Sequence, residues 1–261
     1  MRKLNDDPFS HEEVRHIIFQ IATSLEYIHS HGFFHRDVKP ENILIWKKTT
    51  VKLGDFGLVK EIRHPTPFTE YVATRWYRAP ENVLGSRSYN YPVDIFALGC
   101  IMAELYTFKP LFPGTSEMDQ FDKISRILGR PDPADWPDAK RLADRKLFTM
   151  PEHPRLNLRQ VVPRASSEAL KLMDWMLSYN PRNRPKPNQV LSHAFFHPKT
   201  LAAENKLSMG TSKVLTSQDT TAESKTRPGM IESLVIGQNK LQINNRILKN
   251  ASHLAGGSNP G

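Results

Sequence analysis

The stretch FFHRDVKPENILIW, residues 33–46, places several charged side chains between two apolar flanks. Its polar centre contains His35, Arg36, Asp37, Lys39 and Asn42, in the spacing H-R-D-x-K-x-x-N. An Asp–Arg pair in a loop is most often a surface ion pair. Here the apolar flanks would fix the loop in a core so that its polar side chains face a cleft, and a rigid support makes such placement precise. The pattern therefore predicts a catalytic loop.

Two further motifs follow this loop along the chain. Asp55-Phe56-Gly57 comes after a predicted hairpin, and Ala79-Pro80-Glu81 comes after a long irregular segment. Each motif alone is common by chance, but all three in this order and at these separations are a strong signal. The set resembles the large C-terminal lobe of a protein kinase.

The resemblance implies ATP- and Mg²⁺-dependent phosphoryl transfer to protein substrates, a reaction catalysed mostly by positioning and by neutralising charge. Asp37 would orient the substrate hydroxyl and accept its proton. Lys39 would bind the transferring phosphate of ATP, and a lysine at this place resembles serine/threonine kinases. Asn42 and Asp55 would bind Mg²⁺ through hard oxygen atoms, and Gly57 would let the backbone swing.

The same resemblance assigns structural roles to other residues. Glu81 would form a buried ion pair with Arg184 of the stretch NPRNRP. Asp94 would accept backbone N–H groups of the catalytic loop. His35 is predicted to pack into the core beneath the loop rather than to transfer protons.

The stretch FTEYVATRWYRAPE, residues 68–81, resembles the dual phosphorylation site of mitogen-activated protein kinases. A phosphate adds about −1.5 to −2 units of charge, and the resemblance implies an upstream activating kinase. A phosphate on Thr69 would be bound by Arg36 with Lys60, one on Tyr71 by Arg75 with Arg78, and Thr74 would contact Asp37 and Lys39 to position substrate. The alternative is that Thr69 and Tyr71 merely lie in a solvated loop.

Longer stretches resemble one branch of that superfamily. GFFHRDVKPENIL, the segment from CIMAELY to DWP and VPRASSEALKLMDWMLSYNPRNRP are similar to the male germ cell-associated and intestinal-cell kinases, which are related to cyclin-dependent and mitogen-activated kinases. The resemblance covers residues 1 to about 198, with an insert from about 108 to 165. It implies proline-directed phosphorylation and a link to cilium length or meiosis.

The predicted elements are mostly helical with short β hairpins, as in the large lobe of a kinase. Ser10 and Glu13 form a capping-box pair at the start of the clearest helix, which spans 10–31 and stops at Gly32. A hairpin is predicted over 42–45 and 51–53. Further helices are predicted near 93–107, 116–128, 167–178 and 187–194, whereas 54–92 and 130–165 are predicted to be irregular.

Composition predicts a kinase-like domain over 1–199 and a polar, flexible tail over 200–261. The formal charge is +9, but lysine and arginine are scattered and no aromatic residues interleave with them. A solvated surface is therefore predicted rather than a nucleic-acid or membrane interface, and no stretch approaches the length of a membrane span. The single cysteine, Cys100, is predicted to be a buried apolar residue of a protein in a reducing compartment. The resemblance implies that this compartment is the cytoplasm, the nucleus or the cilium.

The resemblance also implies features that this sequence lacks. It contains no G-x-G-x-x-G and no V-A-x-K, the motifs that bind the ATP phosphates in the small N-terminal lobe. Two readings stay open. The protein is a working serine/threonine kinase of which this chain is the large lobe, or it is an inactive, truncated isoform that binds substrates or acts as a scaffold. In either reading, the 261-residue chain alone is predicted to have little kinase activity.

Overall fold

The computed structural model describes residues 9–46, 50–64 and 74–197. The phosphorylation sites predicted at Thr69 and Tyr71 lie outside these residues, and so does the predicted tail, 200–261. Helices in the described part are α1 (His11–Ser30), α2 (Pro80–Val83), α3 (Pro92–Thr107), α4 (Glu117–Leu128), α5 (Asp138–Arg145), α6 (Leu158–Val161), α7 (Ser167–Met176) and α8 (Pro187–Leu191). Strands are β1 (Phe33–Phe34), β2 (Ile43–Trp46), β3 (Thr50–Leu53) and β4 (Lys60–Glu61).

The strands form two small antiparallel sheets. In one, β2 pairs with β3 so that Ile43 faces Leu53. In the other, β1 pairs with β4 so that Phe34 faces Lys60. The prediction of a mainly helical fold with short hairpins is confirmed, and the sheets hold the two sides of the catalytic loop.

Helix α1 follows from its sequence. The Ser10 side chain accepts the backbone N–H of Glu13, and the Glu13 carboxylate accepts that of Ser10, so the predicted capping box is confirmed. The chain turns away at Gly32, whose φ of +84° is a conformation that glycine adopts at little cost. The apolar face of α1 is buried.

Helix α3 lies in the centre of the core. Its apolar side chains are buried along nearly the whole length, including Cys100, as predicted. It packs against α1 and α7. Because α3 also includes Asp94, the core helix provides a rigid support directly beneath the catalytic loop.

The segment predicted to be irregular over 130–165 contains two helices, α5 and α6. Helix α5 buries only Ala139, Leu142 and Ala143, and its other residues are charged. So few apolar residues among so many charged ones do not give a recognisable helical repeat in the sequence, which is why this helix was not predicted. Helix α2 likewise interrupts the segment 54–92, and it begins at Pro80, which suits a first helical position. Within the described ranges, no helix has the length and apolar character needed to span a membrane.

Candidate active site

The catalytic loop is anchored from below by Asp94 of α3. One carboxylate oxygen accepts the backbone N–H of His35 at 2.7 Å and the other accepts that of Arg36 at 2.8 Å. Asp94 is 1% exposed. Arg36 has a φ of +71°, an uncommon conformation for a residue other than glycine, and the bond to Asp94 helps to hold it there. The predicted backbone contacts of Asp94 are present.

Three predicted catalytic residues lie together above this anchor. The Asp37 Oδ2 atom is 2.9 Å from Lys39 Nζ and accepts a hydrogen bond of 3.0 Å from Asn42 Nδ2. Asn42 Nδ2 also donates to the backbone carbonyl of Asp37. Asp37 and Asn42 are buried, and Lys39 is partly exposed. The carboxylate is therefore fixed in orientation by an amide and a cation.

His35 joins the catalytic loop to the motif that follows β3. Its ring is fully buried, as predicted. The backbone N–H of Asp37 donates to Nδ1 at 3.3 Å, so Nε2 carries the proton and donates to the carbonyl of Gly54 at 3.0 Å. Its ring also packs against that of Phe56, with centroids 5.2 Å apart. His35 thus sets the position of Gly54 relative to Asp37.

Asp55 lies at the same end of the hairpin as Asn42. The Gly54 N–H donates to the Asn42 carbonyl at 2.8 Å, which continues the β2–β3 pairing up to the residue before Asp55. Asp55 itself has a φ of +56°, and its carboxylate accepts the N–H of Gly57 at 3.3 Å. Unlike Asp37, Asp55 is exposed.

The donor set around this end of the hairpin suits a hard cation. Asn42 uses Nδ2 toward Asp37, so its remaining ligand atom is the amide oxygen, and Asp55 adds a carboxylate. No group of three or more His, Cys, Asp or Glu side chains in the described residues could hold a metal alone. Two oxygen ligands fit Mg²⁺, which proteins bind through few side chains together with waters and substrate phosphates.

The cations predicted to bind phosphothreonine lie on adjoining elements. The β1–β4 pairing places Lys60 opposite Phe34, two residues before Arg36. The Arg36 guanidinium donates to the Tyr89 hydroxyl and to the Leu58 carbonyl. The structure therefore pairs Lys60 with the strand that leads into Arg36 and shows Tyr89 as an additional support of the Arg36 guanidinium.

Two of the residues predicted to bind phosphotyrosine or to position substrate, Thr74 and Arg78, line the same small cavity as Arg36. Thr74 and Arg78 line a cavity of about 20 Å³ with Asp37 and Lys39. Arg75 donates to the carbonyl of Thr115 at 2.8 Å. Arg78 is 3.7 Å from Glu117. Arg75 and Arg78 thus contact residues near the start of the predicted insert, which spans about 108 to 165.

The predicted Glu81–Arg184 ion pair is present and buried. The guanidinium donates two parallel hydrogen bonds of 2.7 Å to the two carboxylate oxygens. The side chains are 5% and 0% exposed. Arg184 also donates to the carbonyls of Ser178, Tyr179 and Pro92. The pair ties α2 to the start of α3 and to the turn after α7.

Sequence reasoning missed two residues that support the loop. His29, in the last turn of α1, donates a 2.8 Å hydrogen bond from Nε2 to Asp94 Oδ2. The Tyr89 hydroxyl accepts hydrogen bonds from the Arg36 guanidinium. The central carbon of that guanidinium also lies 5.5 Å from the centroid of the Tyr89 ring. His29 is 65 residues from Asp94 and Tyr89 is 53 from Arg36. No local spacing could have signalled these contacts.

Comparison with known proteins gives a consistent result. The family model described as "Protein kinase domain" matches residues 1–196. The serine/threonine-protein kinase MAK of Rattus norvegicus is 50% identical over 188 residues, which are 72% of this chain and 30% of the relative. The serine/threonine-protein kinase ICK of the same species is 46% identical over 200 residues, 76% of this chain and 32% of the relative.

A plant protein shows similar identity. Cyclin-dependent kinase F-4 of Oryza sativa subsp. japonica is 49% identical over 189 residues, 72% of this chain and 41% of the relative. The chain therefore spans between 30% and 41% of the length of these three curated relatives.

Proposed function

The chain belongs to the protein kinase family, in the branch of the MAK and ICK serine/threonine kinases, and on that premise we propose that its protein transfers the γ-phosphoryl group of ATP to serine or threonine hydroxyls of protein substrates. The observation that carries the proposal is the joint fixation of the Asp37 carboxylate by Lys39 and Asn42 on a loop anchored to the core helix. Positioning of this kind is most of what phosphoryl transfer requires.

The contacts of the catalytic loop support a role for each residue. Asp37 orients the substrate hydroxyl and accepts its proton as the oxygen attacks. Lys39 lies within ion-pair distance of Asp37 and is partly exposed, so it can contact the transferring phosphate while remaining beside the base. Thr74 lines the same small cavity as Asp37 and Lys39, which supports a role in aligning the substrate hydroxyl with Asp37.

The residues present also fit Mg²⁺ and ATP. The Asn42 amide oxygen and the Asp55 carboxylate are hard ligands at one end of the hairpin. Leu44 of β2 is 60% exposed and lies next to Gly54, so an apolar surface for the adenine ring adjoins the ligands. When bound, Mg-ATP supplies the phosphoryl group and neutralises the charge that develops on it.

An assay of the protein purified from its own cells tests the proposal. Tagged wild-type protein and the Asp37→Asn variant would be compared for transfer of labelled phosphate from ATP to a basic serine peptide. We expect at least about a 100-fold loss in the variant, the range for a general base. Asp144→Asn, an exposed carboxylate on α5, is the matched control and should retain full activity. Wild-type protein as inactive as Asp37→Asn would favour the scaffold role instead.

Regulation by phosphorylation is a second part of the proposal. Lys60 pairs with Phe34, two residues before Arg36, and this nearness supports a binding site for a phosphate on Thr69 added by an upstream kinase. Arg75 and Arg78 would bind a phosphate on Tyr71. We expect Thr69→Ala to lower activity and Lys60→Gln to remove most of the gain that phosphorylation gives. Equal activity of the phosphorylated and dephosphorylated protein would refute this regulation.

Preference for a proline after the phosphorylated residue rests on the resemblance to this branch. A matched pair of peptides that differ only in Ser-Pro against Ser-Ala tests it directly. We expect a higher kcat/KM for the Ser-Pro peptide. Equal values would leave the serine/threonine kinase proposal standing and remove the proline preference.

A further inference from the structure

A large cavity lies away from the catalytic loop. Its volume is about 690 Å³, and none of Asp37, Lys39, Asn42 or Asp55 lines it. Five parts of the chain form its walls: residues 62 and 64 after β4, Glu81 of α2, the loop 86–92 before and into α3, the stretch 136–145 with α5, and the stretch 180–189 before and into α8. The cavity is therefore built on elements that the core fixes, although they are distant in the sequence.

Cations dominate this cavity. Its lining contains Arg87, Arg141, Arg145, Arg182, Arg184 and Lys186 against only two carboxylates, Glu81 and Asp138. Glu81 is engaged by Arg184 and Asp138 by Arg141. Four cations remain that form no ion pair within the described residues: Arg87, Arg145, Arg182 and Lys186. All four are exposed.

The concentration of charge is a property of the fold. Arg141 and Arg145 are four residues apart on α5 and so share one face of the helix. Arg87 arrives from the loop before α3, and Arg182 and Lys186 from the turn before α8. Basic residues that are scattered along the sequence are therefore brought together on this surface by the fold. Like charges held in one concave site repel one another, and a bound anion would relieve that repulsion.

We propose that this cavity binds a phosphorylated peptide segment of a partner protein. Arginine side chains bind phosphate through two parallel N–H bonds, and clusters of arginine are a recurring means of recognising phosphorylated segments. A volume of about 690 Å³ is in the range that encloses a small ligand or a short segment. The Ser88 hydroxyl lies in the same lining and can donate to a phosphate, whereas the Ser86 hydroxyl donates to the Ser88 carbonyl and supports the loop.

The aromatic rings of the lining argue against a nucleic acid as the ligand. Single strands are bound largely by stacking of bases on aromatic side chains. Here the Trp136 ring is 3% exposed and stacks on Tyr179, and the Tyr91 ring packs on His29. Tyr89 packs on Phe34 and is covered by Arg36. These rings are used by the fold, so the cavity offers charge without a stacking platform.

Fluorescence anisotropy with the 261-residue chain tests the proposal. The probes are a short fluorescein-labelled peptide with two phosphoserines, the same peptide with serines, and a labelled oligothymidine strand. We expect the phosphopeptide to bind more tightly than either. The double variant Arg145→Glu/Arg182→Glu should weaken its binding by about tenfold or more. The control Lys109→Glu/Arg164→Glu makes the same charge change at exposed residues outside the cavity and should alter it by less than about twofold.

Three results would overturn the proposal: equal binding of the serine peptide, tighter binding of oligothymidine, or equal weakening by the two double variants. Circular dichroism melting of both variants shows whether they are folded. Because no ATP is added, the result does not depend on the proposed phosphoryl transfer. Failure here would leave the kinase proposal intact, and loss of catalysis in Asp37→Asn would say nothing about this cavity.

Discussion

Carboxylates on the two sides of the catalytic loop differ in what they bind. On the buried side, Glu81 accepts two bonds from a guanidinium and Asp94 accepts two backbone N–H groups. On the open side, Asp55 is exposed and accepts a single N–H at 3.3 Å, from Gly57. The buried carboxylates stabilise the fold, whereas the exposed Asp55 carboxylate remains able to bind a ligand from outside the fold.

The apolar residues divide in the same way. Phe34, Phe96 and Leu98 are fully buried beneath the loop, while Leu44, Trp46 and Phe56 on the open side are 60%, 66% and 42% exposed. A folded domain buries such side chains where it can, and a group of exposed ones marks a binding surface. The open side is thus built for contacts that the described residues do not supply, and substitutions on the two sides should have different consequences.

The largest effect should come from Arg184→Ala. It leaves Glu81 as a buried charge without its partner and removes the donor for three backbone carbonyls. We expect a loss of about 3–5 kcal/mol in the free energy of unfolding. Denaturant unfolding followed by circular dichroism measures it.

The control for Arg184→Ala is an exposed ion pair of the same type. Lys140 and Asp144 are 2.7 Å apart on α5, and both are mostly exposed. Lys140→Ala should cost no more than about 0.5 kcal/mol. If the two variants lost similar stability, burial would not be what makes the Glu81 pair important.

Asp94→Asn should have the next largest effect. The amide retains one acceptor oxygen, so one of the two loop N–H groups loses its bond in a buried setting. We expect a cost of about 1–3 kcal/mol, with the loss concentrated in the loop because Arg36 must hold its positive φ with less support. Hydrogen exchange of the His35 and Arg36 amides, measured by NMR, should accelerate in the variant. Unchanged exchange at both amides would refute the anchoring role.

These anchors also show how far sequence reasoning reaches. The partners of Asp94 and of Glu81 were predicted because each belongs to a motif with a fixed role, and α1 was predicted because its cap and apolar repeat are local. His29 and Tyr89 were missed because their contacts join residues more than 50 positions apart without a motif. The basic cavity was missed for the same reason. Local sequence patterns and known motifs predict the helices, the strands and the anchoring residues. Side chains that only tertiary packing brings together leave no signal in a short stretch of sequence.

Glu104 should make stability depend on pH. Burial raises the pKa of its carboxyl above the ordinary value of 4.5, more than the hydrogen bond from Tyr77 lowers it. The folded state therefore binds more protons than the unfolded state, so this group's stabilisation is complete below 4.5 and is lost as pH rises through the folded pKa. Glu104→Gln should remove that decline, making the variant at least as stable as wild type near pH 7. Thermal melts over a pH series measure it.

A second variant tests whether the dependence of stability on pH arises from the Glu104–Tyr77 pair. Tyr77→Phe removes the donor to Glu104, so the pKa of the carboxyl should rise further and the decline in stability should extend to higher pH. A decline unchanged in both variants would assign the pH dependence to other groups.

The smallest effect on stability should come from Asp55→Asn. The amide oxygen can still accept the Gly57 N–H, and asparagine tolerates the φ of +56° better than most residues. We therefore expect a change within about 0.5 kcal/mol, together with loss of Mg²⁺-dependent phosphoryl transfer in the protein purified from cells. Asp55→Ala serves as the matched comparison, since it removes both the acceptor and the tolerance for positive φ and should cost about 1 kcal/mol more. A large destabilisation by Asp55→Asn would show that this carboxylate stabilises the fold as Glu81 and Asp94 do. The buried and open sides of the catalytic loop would then not differ in the role of their carboxylates.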